Sequence, residues 1–242
     1  MNKAITANKL TKKFGNFIAT NAITFDVDKG EVFGFLGANG AGKTTAIKML
    51  TGLSRPTSGE ATVAGLDIYR HAEQIKQQIG YMSQKFSLYE DMTVSENIEF
   101  YGGIYGLKRS EIRERGGKSL DQLSMTNVRN HKVNSLPLGW KQKLAFAVAT
   151  LHKPGIVFLD EPTGGVDPIT RRQFWEMIYQ AAEEGITVFV TTHYMDEAEY
   201  CNRISIMVEG LMVACDSPAA LKSLHNASSI EEVFIKIARN KE

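Results

Sequence analysis

Apolar runs of strand length, each bounded by turn residues, recur along the chain. They predict strands over Val32–Leu36, Ala61–Val63, Ile79–Ser83, Ile156–Asp160, Thr187–Thr191, Ile204–Val208 and Leu211–Cys215. The last two flank Glu209-Gly210, a two-residue hairpin signal. Helical spacing fills several of the gaps. One helix is expected over Lys43–Leu50, and another from Arg171 to Glu184, stopped by Gly185 in the position that closes many helices. Strands alternating with helices point to an α/β fold with a mostly parallel sheet.

From Thr93 to His152 the alternation stops, because the stretch is helically periodic and poor in β-branched runs. We read residues 92–152 as an α-helical subdomain inserted between sheet strands of a single domain spanning 1–242. Thr93-Val94-Ser95-Glu96 has capping-box spacing ahead of "NIEFYGGIYGL". Ser110 is expected to cap "EIRERGG", which Gly116 and Gly117 would weaken by about 1 kcal/mol each. Ser217-Pro218 opens a last helix, with serine as cap and proline in the first turn. No internal repeat or low-complexity segment interrupts this order.

Composition narrows the class. The 242 residues are 43% hydrophobic and 23% charged, ordinary for a globular protein. A net charge of +1 gives no long-range pull on nucleic acid or acidic lipid, so no nucleic-acid partner is expected. Lys108-Arg109 and Arg171-Arg172 read as solvated helix faces. Cys201 and Cys215 have no metal-like spacing and read as reduced thiols. The N-terminus lacks the apolar core of a secretory signal, and no window approaches the roughly 18 apolar residues of a membrane span. A soluble chain is expected, with any membrane role coming through a partner.

The chemistry begins at "GANGAGKT", Gly37 to Thr44, which fits G-x-x-x-x-G-K-[ST] between an apolar strand and a helix. Gly37, Ala38, Asn39, Gly40, Ala41, Gly42 and Thr45 would present backbone N–H groups to phosphate oxygens, aided by the helix N-terminus. Lys43 adds a cation at the β/γ-phosphates, and Thr44 offers a hydroxyl to Mg²⁺. "GIVFLDEP" sets Asp160 at the C-terminal end of a buried strand, where α/β sheets bind ligands and where an acid holds Mg²⁺. Glu161 follows, pointing to the other side, placed to orient and deprotonate an attacking water. His193 closes "TVFVTTH" at the same sheet edge, within reach of a γ-phosphate and that water. Gln84 closes "IGYMSQ", able to reach Mg²⁺ or the water while its backbone hinges the insertion. His71, His131, His152 and His225 lack such context and read as ordinary structural residues.

In this order, with "LPLGWKQ" ahead of the acidic strand and "GGVDP" after it, the chain resembles the nucleotide-binding domain of ABC transporters along nearly its whole length. The resemblance implies a P-loop NTPase fold with an N-terminal antiparallel β subdomain, and ATP hydrolysis with Mg²⁺. It implies a head-to-tail pair of cassettes with two ATP molecules between them. It also implies a membrane permease held against the helical insertion, at the cytoplasmic face of the inner membrane. By resemblance Phe14 matches the aromatic that stacks on adenine, with Phe17 a competing position, and Asp167 matches the loop that crosses to the partner's site. Both aromatics also fit plain core packing, and Asp167 also fits a helix cap.

One motif departs from the family. The signature is usually L-S-G-G-Q, and here Leu136, Pro137, Leu138, Gly139 and Trp140 stand in its place. Pro137 donates from neither a side chain nor its own N–H, and Leu138 adds bulk, while Gly139 and the following helix still suit an anion. Three arrangements answer this: a homodimer with two impaired sites, pairing with another cassette whose signature is intact, or a shifted loop in which Ser135 supplies the hydroxyl. "LPLGWKQ" resembles the second cassette of fused two-cassette bacterial multidrug-export subunits, which favours the second. The function expected is thus an ATP-hydrolysing subunit of an export pump. The alternatives are a soluble ATPase of the same class acting on ribosomes or another complex, and a nucleotide-binding regulatory module without turnover.

Overall fold

The computed structural model describes residues 3–239. The chain opens with β1 (Lys3–Phe14), β2 (Phe17–Asp28), β3 (Val32–Gly37) and helix α1 (Lys43–Leu50). Then come β4 (Ser58–Val63), β5 (Leu66–Asp67), α2 (Ala72–Gln78) and β6 (Ile79–Met82). Helices α3 (Val94–Ile104), α4 (Arg109–Gln122) and α5 (Leu138–Thr150) follow. Alternation resumes with β7 (Ile156–Asp160), α6 (Pro168–Glu183), β8 (Thr187–Thr192), β9 (Arg203–Val208) and β10 (Leu211–Asp216), and α7 (Pro218–Leu224) and α8 (Ile230–Arg239) complete the order.

Two sheets result. The first, β2-β1-β4-β5, is antiparallel. The second runs β10-β9-β3-β8-β7-β6, parallel from β9 to β6, with β10 added antiparallel at one edge. Strands β3, β7 and β8 are buried at every position, which is why they read as unbroken apolar runs. Alternation sorts their two faces. Phe33, Phe35, Phe158 and Phe189 turn toward the antiparallel sheet, where the first two and Phe189 meet Phe25 and Phe158 packs on Phe189; the Phe35 and Phe189 ring centroids are 5.1 Å apart. Val32, Leu36, Val157, Leu159, Val188 and Val190 turn the other way, to Phe146, Phe174 and Trp175 of the helices. Because the strands are parallel, the segments after β3, β6, β7 and β8 all emerge at one edge.

All seven patterned strands are present. Strand β7 has the predicted bounds, β4 starts three residues early at Ser58, and the others shift by a residue at one end. Patterning misses β1 and β2. Lys9 and Ala22 interrupt them with φ of 50°, and the register between them shifts repeatedly, so alternation never runs long enough to detect.

The helices need three corrections. Helix α6 starts at Pro168, not Arg171, because Asp167 accepts from the Ile169 and Thr170 N–H groups. Ser110 is not a cap: α4 begins at Arg109, with Lys108 as the capping residue and Glu111 accepting its N–H. That helix also runs through Gly116 and Gly117 to Gln122. A side chain at Gly116 would meet Ile98 Cγ2 at 2.6 Å, so the missing side chain lets α3 and α4 close on each other. The capping box at Thr93 is present, with Thr93 Oγ1 accepting from the Glu96 N–H and Glu96 accepting from the Thr93 N–H.

Thr93 and Ser110 therefore differ measurably. Thr93→Ala should cost about 0.5–2 kcal/mol in urea unfolding. Ser110→Ala, inside a helix, should be neutral or stabilising by a few tenths of a kcal/mol.

Candidate functional site

The loop after β3 turns sharply at Gly40 (φ 83°) and Gly42 (φ 102°). At Gly42 a side chain would sit 2.3 Å from the Ala19 carbonyl, so only glycine lets the loop lie against β2 as α1 begins. Lys43 is then folded back into the loop. Its ammonium donates to the Gly37 and Ala38 carbonyls at 2.8 and 3.1 Å and pairs with Glu161 Oε1 at 3.1 Å.

Across from it stands the end of β7. Asp160 is 1% exposed and accepts at Oδ1 from Thr191 Oγ1 at 2.7 Å and from Thr44 Oγ1 at 3.1 Å. Burial raises its pKa above the usual carboxylate range, against the two hydroxyl donors that lower it. The same burial, with the Asp160 charge nearby, pushes the Tyr81 phenol up to about 12.

Glu161 turns away from Asp160 through a left-handed backbone, φ 50°, fixed by its N–H donating to the Thr191 carbonyl and hydroxyl. Its side chain gathers three partners: Lys43, Gln84 Nε2 donating at 3.0 Å, and His193 Nδ1 at 3.1 Å. An ionised carboxylate only accepts, so Nδ1 is the donor and Nε2 is left for another contact. Lys43, Thr44, Gln84, Asp160, Glu161 and His193 thus form one cluster from four separate chain segments.

Asp160 Oδ2 is buried with no hydrogen-bond partner. A buried carboxylate oxygen with an open lone pair, beside the Thr44 hydroxyl, is the hard oxygen donor set Mg²⁺ takes. No cluster of three or more His, Cys, Asp or Glu among the described residues forms a metal cage. A metal here would share its shell with substrate phosphates and water, as Mg²⁺ commonly does.

The other predicted positions lie apart from this cluster. Phe14 and Phe17 pair across the β1–β2 turn and are 55% and 64% exposed, so neither is core; Lys12 Nζ lies 5.0 Å from the Phe14 ring centroid. Asp167 is exposed, its pKa lowered first by the Thr170 hydroxyl. Gly139 lies in the first turn of α5, where a side chain would meet Thr170 Cγ2 at 2.5 Å. The Ser135 hydroxyl donates to the Lys132 carbonyl within its own turn. Among the remaining histidines, His152 stacks on Tyr105 at 3.7 Å, and burial pushes its pKa down to about 4.

Sequence reading missed Thr191, which faces Asp160 in the β7–β8 register, and the pair Lys141–Glu90, which ties α5 to the segment after Gln84. Strand pairing could have signalled the first. Only tertiary structure brings the second together.

A family model for "ABC transporter" matches residues 20–164. The probable multidrug ABC transporter ATP-binding protein YbhF of Escherichia coli (strain K12) is 49% identical over 219 residues, covering 90% of this chain and 38% of that protein. The linearmycin resistance ATP-binding protein LnrL of Bacillus subtilis (strain 168) is 36% identical over 232 residues, covering 96% and 75%. A solved ATP binding subunit of an ABC transporter superimposes with a TM-score of 0.88 at 26% identity, over 97% of this chain and 99% of that one. The dimeric post-hydrolysis state of the ATP-binding cassette MJ0796, bound to ADP and Pi, gives 0.80 at 26% identity, over 88% and 98%. The chain belongs to the ABC transporter family. It spans 38% of the length of its relative YbhF.

The raised pKa of Asp160 carries a stability prediction. The folded state binds this proton more readily than the unfolded chain, so ionisation costs stability as pH rises through the raised value. Asp160→Asn, which keeps an acceptor for Thr44 and Thr191, should melt at higher temperature than the wild type at neutral pH. The gap should shrink as pH falls below the raised pKa, as thermal melts across pH would show.

Proposed function

We propose that this chain hydrolyses ATP to power an export pump, with the clustered side chains at the strand ends as its catalytic centre. The convergence of Lys43, Gln84 and His193 on Glu161 carries the reading. A carboxylate held from three sides is preorganised to take a proton from water at a fixed position. Relatives named for multidrug and linearmycin resistance favour export over action on ribosomes.

In this reading the backbone from Gly37 to Thr45 and the Lys43 ammonium hold the phosphates of ATP. Phe14, or Phe17 beside it, offers an exposed ring to the adenine. Glu161 orients the attacking water and accepts its proton, while His193 keeps Glu161 in place and turns Nε2 to the γ-phosphate or the water. Thr44, Gln84 and Asp160 would hold Mg²⁺, which when bound neutralises charge building on the β- and γ-phosphate oxygens.

The partners follow from the same reading. Pro137 starts α5 without a side-chain cap, so one charge-assisted hydrogen bond worth about 1.5–3 kcal/mol is missing from a closed pair of cassettes. Pairing with a second cassette whose signature keeps its serine gives one complete site and one weak one. A relative more than twice as long as the matched segment has room for such a cassette. Asp167, exposed at the start of α6, faces that partner. No helix among the described residues is long and apolar enough to cross a membrane. Transport then requires a permease, docked on the helical insertion at the cytoplasmic face of the inner membrane.

Two outcomes are expected. Glu161→Gln should keep ATP binding while phosphate release falls by about 10²-fold or more; a variant that still turns over removes Glu161 from its role. In sedimentation with ATP, the Glu161→Gln chain should associate more tightly with a cassette bearing serine in its signature than with itself.

A further inference from the structure

One buried charge near the site takes no part in the chemistry above. Glu197 is fully buried in a single 3-10 turn shortly after His193. Its two carboxylate oxygens accept from two different segments. Thr163 Oγ1 donates to Oε1 and Thr192 Oγ1 to Oε2, each at 2.5 Å. Thr163 lies on the loop that leads from Glu161 to Asp167, and Thr192 immediately precedes His193.

The balancing cation comes from the start of α6. Arg171 Nε lies 3.6 Å from Glu197 Oε1, and another of its nitrogens pairs with Asp196 at 3.3 Å. The guanidinium lies 4.0 Å from the centroid of Tyr194, whose ring is 4.2 Å from the His193 imidazole. An unpaired carboxylate at this depth would cost several kcal/mol, so the two hydroxyls and Arg171 are required together. Every group that satisfies Glu197 therefore sits on, or next to, a segment that carries Glu161, Asp167 or His193.

We infer that Glu197, balanced by Arg171, is a positioning residue for ATP hydrolysis: it fixes the His193 segment to the Glu161–Asp167 loop, so displacement of α6 is carried to the imidazole. The inference rests on the roles proposed for Glu161 and His193. A pair serving stability alone would affect melting and leave the rate constants of the folded protein unchanged.

The test uses the full chain. Thr163→Val keeps the side-chain shape and removes one donor to Glu197. We expect KM for ATP to stay within about twofold and kcat to fall by about tenfold or more, as misplacement of a catalytic group does. Thr163→Val added to His193→Ala should slow the reaction no further, because the effect runs through His193. The side-chain NMR signals of His193 should also move in Thr163→Val while those of exposed His131 and half-buried His225 stay in place. Unchanged kcat with unchanged His193 signals, or multiplied losses in the double variant, would overturn the inference. If Thr163→Val does not fold, Arg171→Lys, which removes the guanidinium over the Tyr194 ring, carries the same readouts. Full turnover in Glu161→Gln would instead defeat the proposed catalytic centre, and the His193 signals would still decide the role of Glu197.

Discussion

Two consecutive carboxylates close a strand that is otherwise entirely apolar, and the protein cannot hold them there without bringing cations and donors from elsewhere. Asp160 and Glu161 are 1% and 8% exposed. At that depth an ionised acid without partners would take up a proton or unfold its surroundings. The partners arrive by topology. Strand β7 lies between β8 and β6, with β3 beyond β8, so the ends of three neighbouring strands supply Lys43, Thr44, Gln84, Thr191 and His193. The turn at Glu161, in a backbone region that costs about 1–3 kcal/mol, sends the two acids to opposite sides. One then meets hydroxyls and the other meets nitrogen donors, so one pair of residues occupies two environments.

The helical insertion is spliced into this scheme without disturbing it. It leaves after β6 and returns into β7, which pair directly in parallel, so their register carries no trace of the excursion. Its attachment is local instead. The Val133 and Asn134 N–H groups donate to the Met92 and Glu90 carbonyls, and Lys141 pairs with Glu90 and lies over the Phe86 ring. The segment that follows Gln84 is thereby fastened to the start of α5.

What the sequence revealed, and what it hid, follows from the range of each interaction. The buried parallel strands and the loop from Gly37 to Thr44 announce themselves within a few residues, because continuous apolar runs and glycine spacing are local. Asp160, Glu161 and His193 were legible because each ends such a run. Strands β1 and β2 were hidden by bulges, and α6 was assigned a late start because the capping by Asp167 was read only as an alternative. Ser110 looked like a cap on composition alone, while Glu111 had already taken the N–H of Lys108. Thr191, Glu197 and Arg171 gave no local signal, since their meaning comes from residues some thirty positions away that only the folded sheet brings near.

The contact between Gly139 and Thr170 has a mechanical consequence. With no side chain between them, the first turns of α5 and α6 rest backbone against side chain, and Leu138 reaches to 3.4 Å of where a side chain on Gly165 would stand. Asp167 braces the first turn of α6 from within by accepting from the Ile169 and Thr170 N–H groups. Leu138, Asp167 and Ile169 are exposed at these helix starts. Pressure on either helix end is therefore shared at once by the other.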